Sequence, residues 1–218
     1  MKYKRILLKL SGEAMGADGN VIDFHSVDLV AGQIAELSKM GVEIGIVIGG
    51  GNIWRGRSSG EMDRSRADHM GMLATVINAL ALQDSLEKLS VPCMVMSAVG
   101  MDRFCDAFTA RGAKTALRDG KVVIFAAGTG CPFFSTDTAA ALRAAEIGAD
   151  ALLCAKNIDA VYSADPKLCP DAVRFSHLTY EETIDRNLKA LDLAAITLCA
   201  EQHIPVLVFA MKESKNIR

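Results

Sequence analysis

Six short runs along the chain are apolar over most of their length: "RILLKL" from Arg5, "EIGIVI" from Glu43, "PCMVMS" from Pro92, "KVVIFAA" from Lys121, "DALLCA" from Asp150 and "IPVLVFA" from Ile204. They are too short for buried helices, and several lack the polar alternation of a half-exposed strand. Strands covered on both faces read this way. Between them, helical periodicity covers roughly 26–40, 65–89, 136–147, 180–188 and 192–202. Strand–helix alternation predicts a mostly parallel sheet between helical layers, with residues 1–218 forming one α/β unit. No internal repeat or linker interrupts it. The polar, weakly patterned segments 56–64 and 163–175 read as loops.

The longest helix carries two apolar faces. Met70, Leu73, Ile77 and Leu80 line one; Met72, Val76 and Ala79 line another. Such a helix is either central or covered by a second subunit. The loop before it favours the second reading, with Val76 and Ala79 as positions where a charge would open the interface.

Half the 218 residues are hydrophobic, enough for a sizeable core. A net charge of -2 gives no basic field for nucleic acid or an anionic membrane, so any phosphate-binding charge must be local. The cysteines at 93, 105, 131, 154, 169 and 199 have neither CxxC nor zinc-site spacing, and read as small hydrophobes in a reducing compartment. The N-terminal "MKYKRILLKLSGE" breaks its apolar run at Lys9, unlike a signal peptide, and no run reaches membrane-spanning length. The expected location is the cytoplasm.

Neither common nucleotide fingerprint is present. GxxxxGK[ST] is missing, and "GGGNIW" places Trp54 where GxGxxG needs its last glycine. Yet four strand ends gather glycines, hydroxyls and charge. In "LLKLSGE", Lys9 precedes the Ser11–Gly12 turn; its head is either simply solvated or aimed along the strand's carboxyl end. In "VIGGGNIWRG", Gly49, Gly50 and Gly51 can adopt positive φ and expose successive N–H groups, with Arg55 nearby as an anion fork. In "AAGTGCPFFSTDTAAALRAAE", small donors sit just ahead of a helix N-terminus, itself an anion site. There Asp137 either complements the helix dipole or orients lysines. In "LLCAKNIDAVYSADP", Lys156 leads a polar loop with Asn157, Asp159, Tyr162 and Asp165. Ligands of open α/β sheets bind outside the carboxyl ends of the strands, and four such ends converging is the signal. "SRAD", Ser65 to Asp68, has capping-box form, so Asp68 is either a cap or a ligand-facing carboxylate. His69, Met70 and Trp54 read as packing residues.

Taken in order, "KRILLKLSGEA", "VIGGGNIWRG", "ADHMGMLATVINALAL", "GTGCPFFSTDTAAALRAAEIGAD", "AKNIDAVYSADP", "LTYEE" and "LDLAAITL" resemble the bacterial-type uridylate kinases of the amino-acid kinase family, from the N-terminus to about Ile217. The resemblance implies a three-layer α/β/α sandwich with a central, mostly parallel sheet, assembled as a hexamer built from dimers. It implies phosphoryl transfer from ATP, with its bound Mg2+, to UMP, with no metal-ligating side chains assigned. For ATP it assigns Lys9, Leu10, Ser11, Gly12, Gly51, Arg55, Ala155, Asn157, Tyr162 and Asp165. For UMP it assigns Gly50, Asp68 and the segment Thr129, Gly130, Cys131, Pro132, Phe133, Phe134, Ser135 and Thr136. Lys9 and Lys156 would neutralise charge on the transferred group, with Asp137 organising them and Asp192 in support. The N-terminal part would then hold mainly the UMP site and the dimer helix, the C-terminal part mainly the ATP site.

Three residues depart from the family pattern: Cys131 for asparagine, Ala160 for the glycine of Asp-Gly, and Ala155 for threonine. Where many members carry a GTP-activating site, Glu87, Pro92 and Met94 offer little to a triphosphate. The family pattern continues past Arg218 with a Gly-Thr-containing strand. Two rival readings share the fold. A kinase of amino acids or carbamate should lack "HMGMLAT" and "PFFSTD", and a nucleotide-storage protein should have lost Lys9 or Lys156.

Overall fold

A computed structural model describes residues 2–17, 19–55, 60–156, 159–166, 168–188 and 190–210. Its centre is a seven-stranded sheet, parallel throughout. The strands are β1 (Arg5–Leu10), β2 (Glu43–Ile48), β3 (Cys93–Ser97), β4 (Asp106–Ala107), β5 (Val122–Ala126), β6 (Ala151–Lys156) and, after a two-stranded hairpin, β9 (Val206–Ala210). The spatial order is β4-β3-β5-β2-β1-β6-β9. All six apolar runs are strands of this sheet, with ends shifted by two residues at most.

The helices are α1 (Phe24–Lys39), α2 (Arg64–Lys88), α3 (Ala110–Arg118), α4 (Thr136–Ile147), α5 (Tyr180–Asp185) and α6 (Leu193–Glu201). Period-two alternation divides the strand side chains between two cores. Leu8, Leu10, Ile46 and Ile48 meet α1 and α2 through Ile34, Ala79 and Leu82. Leu7, Val47 and Phe125 meet α3, α4 and α6 through Leu117, Ala140, Ile147 and Ile196. This gives the expected helix–sheet–helix sandwich.

Some elements escaped the sequence reading. The apolar face of α3 is only Ala113, Ala116 and Leu117, too thin a stripe to stand out. The segment 163–175, expected as a loop, ends in β8 (Arg174–Phe175), which pairs antiparallel with β7 (Val161–Tyr162).

Both faces of α2 are apolar, but Val76 and Ala79 do not lie on an outer surface as expected. They are buried against the sheet, whereas Met70, Leu73, Ile77 and Leu80 are exposed, at 38, 51, 48 and 36 %. Any subunit contact belongs to that second stripe.

Candidate active site

A cleft of about 770 Å³ opens at the carboxyl ends of β1, β2 and β5, where α2 and α4 begin. Its inner wall carries Lys9 and Asp137. Lys9 shares the strand face of Leu7, which packs towards α4, and its Nζ lies 3.0 Å from Asp137 Oδ1 in the first turn of that helix. This is an ion pair without a well-aligned hydrogen bond. Both side chains are mostly buried, at 12 and 20 % exposed. Of the two readings of Asp137, the lysine-orienting one describes the observed contact.

The glycine turn forms a second wall. None of Gly49, Gly50 or Gly51 adopts positive φ, contrary to the expected reason for their presence. The need is close approach. A Cβ on Gly50 would stand 2.7 Å from Gly71 O and 2.8 Å from Ala74 Cβ, so only glycine lets the turn rest on α2. Gly51 is different: a Cβ there meets nothing nearer than Arg55 at 3.8 Å, leaving its cleft side open. Arg55 pairs with Glu13 and donates through Nε to Gly51 O at 3.1 Å. Ser11 and Gly12 line the same wall, while Leu10 and Ala155 are fully buried in the core and are not among the residues lining the cleft.

The third wall joins distant segments. The N-cap of α2 is Asp63, which accepts from Arg66 N; the expected capping box at Ser65 to Asp68 is not formed. Asp68 is thereby free of capping and instead accepts from Phe133 N at 2.8 Å and from Arg64 Nε at 2.9 and 3.0 Å. Phe133 has φ of +71°, rare for an aromatic residue, and this bend turns its N–H towards Asp68. Thr129 closes a tight loop on Cys131, and Cys131, Phe134, Ser135 and Thr136 line the cleft. Gly130 packs on Ala98 with φ of +81°, and Gly130, Pro132 and Phe133 flank the lining residues.

Helices α4 and α6 both start here. Ser135 caps α4 by accepting from Asp137 N and Thr138 N, at 3.0 and 3.2 Å, and donates its hydroxyl to Asp192. Asp192 caps α6 through Ala195 N and also accepts from the Thr138 hydroxyl. Burial pushes the Asp192 carboxyl up, but the hydrogen bonds from Ser135, Ala195 and Thr138 outweigh it and hold the group below its ordinary value.

Lys156 ends β6 in a neighbouring cavity of about 530 Å³, together with Tyr162, Asp165 and Ala160. Its ammonium donates to Ala190 O. The Cys154 thiol lies within the fields of Lys9, Asp137 and Lys156: burial first, then Asp137, pushes it up to about 12 against the pull of both lysines. Tyr162 donates to Asp159, which also accepts from Arg174 Nε. Those bonds, Tyr162 first, hold the Asp159 carboxyl below its usual range. Asn157 lies outside the described residues.

The sequence reading missed Arg64, Asn52, Thr75 and Asn78, and set Trp54 aside as packing. Trp54 lines the cleft and its indole N–H donates to Ala67 O at 2.9 Å. Thr75 accepts from Ala127 N at 2.8 Å, anchoring the start of the Thr129 segment. A usable signal existed: Thr75 and Asn78 are polar residues on the mostly apolar inner face of α2.

The sequence pattern of the amino acid kinase family matches residues 4–210. The chain belongs to the amino acid kinase family. Within that family it is 54 % identical over 214 residues to a uridylate kinase from Agrobacterium fabrum, covering 97 % of this chain and 89 % of the relative. Its fold superposes with a TM-score of 0.93 on a UMP kinase from Ureaplasma parvum, 43 % identical, covering 98 % of this chain and 92 % of the other. A UMP kinase from Bacillus anthracis also gives 0.93, at 35 % identity, with 96 and 88 % covered.

Proposed function

We propose that this amino acid kinase is a UMP kinase, transferring the γ-phosphoryl group of ATP to UMP to give UDP and ADP for pyrimidine nucleotide synthesis. The observation that carries this reading is the junction of Asp68 with the Thr129–Thr136 segment across the cleft from Lys9 and the glycine turns. It gives the cleft an acceptor side and a phosphate side. Phosphoryl transfer through a loose transition state needs little covalent work from the protein, so positioning and positive charge dominate. Lys9, held by Asp137, faces the charge developing on the transferred group. Ser11, Gly12, Gly51 and Arg55 offer donors to the ATP phosphates, and the Ser135-capped start of α4 favours an anion on the acceptor side. We assign the rest of the donor nucleotide to the neighbouring cavity that Lys156, Tyr162 and Asp165 line, where the Lys156 ammonium, now on Ala190 O, would turn to the phosphates. On this assignment the N-terminal part supplies α2, Asp68 and the glycine turns that meet the ATP phosphates, the Thr129–Thr136 segment completes the acceptor side, and the C-terminal part supplies the cavity for the rest of the donor.

A Mg2+ ion bound with ATP would supply charge neutralisation on the phosphates. Asp137 is already paired with Lys9, a donor set that fits an ion held mainly by phosphate oxygens and water. The exposed stripe Met70, Leu73, Ile77 and Leu80 repeats at 3, 4 and 3 residues, the spacing of a seam between two helices, and we assign it to a dimer within a hexamer. Among the described residues no helix is long and apolar enough to cross a membrane. The six cysteines are all free thiols, and we assign the protein to the reducing cytoplasm.

The deciding experiment measures kcat/KM with UMP, dUMP and CMP as acceptors of phosphate from ATP. A site shaped for uracil's N3–H and O4 leaves both unmatched with cytosine, so CMP should be poorer by ~10²-fold or more. Equal rates with CMP and UMP would make the uridylate reading wrong.

A further inference from the structure

The Ser11–Gly12 turn and the Gly49–Gly51 turn press directly on each other. A Cβ on Gly12 would stand 2.5 Å from Asn52 Oδ1, 2.6 Å from Gly49 O and 2.8 Å from Gly51 N. Behind this contact α2 presents Asn78, fully buried on a helix face whose neighbours are Ala79 and Leu82. The Asn78 amide donates to Gly49 O and to Asn52 Oδ1, both at 2.8 Å. Asn52 donates back to Asn78 Oδ1 at 3.0 Å and to Val21 O at 2.8 Å. Each amide has two N–H donors, and all four are used.

A buried amide is costly unless fully satisfied, and an apolar side chain would fill the same core position without that demand. Core packing therefore does not explain the pair. Its bonds do: one reaches the first glycine of the cradle, one the residue just beyond it, and Asn52 Oδ1 sits against Gly12 of the other turn. We propose that Asn52 and Asn78 are positioning residues, a reciprocal amide clamp that fixes the spacing between the two nucleotide-facing turns. The inference rests on reading the cleft as a phosphoryl-transfer site. Neither side chain touches a reactant. The clamp acts through backbone, and it ties both turns to the helix that carries the exposed apolar stripe.

Misplacing reacting groups by about 1 Å costs on the order of 10²-fold in rate. Asn78→Ala should therefore lower kcat by about that factor while the KM values for ATP and UMP stay within roughly threefold. Asn52→Ala, at a half-buried position, provides the same test should Asn78→Ala fold poorly. The double variant should be no worse than the poorer single one, because both remove one unit. Leu82→Ala is the control: buried on the same helix, it should lower Tm at least as much yet keep kcat near wild type. Backbone amide exchange supplies a readout independent of turnover. Asn78→Ala should speed exchange at both 11–14 and 49–53, and Leu82→Ala should not. A kcat that simply follows Tm across the three variants, or unchanged exchange in both turns, overturns the clamp. If the wild type fails to phosphorylate UMP but Asn78→Ala still loosens both turns selectively, the acceptor reading falls and the clamp stands.

Discussion

Lys9 owes its position to strand parity. Odd residues of β1 face α4, so a lysine two places after Leu7 must emerge beside the first turn of that helix, where Asp137 meets it. Removing the ammonium should remove stabilisation made mainly in the transition state. Lys9→Ala is expected to lower kcat by at least ~10²-fold, a few kcal/mol, with UMP binding nearly intact. Near wild-type turnover would remove Lys9 from the chemistry. Asp68 makes the complementary case on the acceptor side. A carboxylate has about four acceptor sites; Arg64 Nε spans both oxygens and the Phe133 N–H takes a third site, so holding both ribose hydroxyls requires Arg64 to swing away. Asp68→Asn should chiefly raise the UMP KM and shrink the preference of UMP over dUMP. An unchanged UMP/dUMP ratio would show that the ribose is read elsewhere.

At the scale of elements, Asp192 links two helix starts that are far apart in sequence. It caps α6 directly and α4 through the Ser135 hydroxyl, and it receives Thr138 as well. Single caps contribute about 1 kcal/mol, so one carboxylate serving both ends matters beyond its own helix. Its pH dependence has a definite sign. The folded carboxyl is held below its ordinary 3.8, so its contribution is present above that value and fades as pH falls through the lower, folded value. Thermal melts should therefore show Tm dropping as pH falls below the ordinary 3.8, with Asp192→Asn less stable at neutral pH and flatter in acid. Parallel acid curves for the two proteins would mean that other carboxylates dominate.

At the scale of the molecule, α2 joins the sheet on one side and leaves an apolar seam on the other. Leu73 and Ile77, each about half exposed, stand at its centre. A charge at Ile77 should dissociate a dimer at micromolar protein, because an unpaired charge in a buried interface is strongly unfavourable. Sedimentation velocity of wild type and Ile77→Glu measures this directly. A stable monomeric wild type would remove the seam from the assembly. Charges at Val76 or Ala79 should instead unfold the chain, since those positions face the sheet.

Much of the architecture was readable without coordinates because it depends on local periodicity. Apolar runs with flanking turns predicted the sheet, and 136–147 fell on α4 residue for residue. Lys9, Asp137 and the glycine turn were legible for a related reason: residue types suited to phosphate cluster where strands end. Other features had no local signature. Whether Asp68 capped its own helix or crossed 65 positions to Phe133 depends on how α2 docks beside α4. The glycines of the cradle looked like residues chosen for backbone freedom, yet Gly50 is set by the passage of α2 within van der Waals contact. Which apolar stripe of α2 faces the sheet could not be chosen from a pattern that is apolar on both sides. Sequence by itself determined the elements and the chemistry gathered at their ends. Tertiary structure alone decided which distant groups meet, because hydrogen bonds, close contacts and burial depend on how elements pack rather than on how they form.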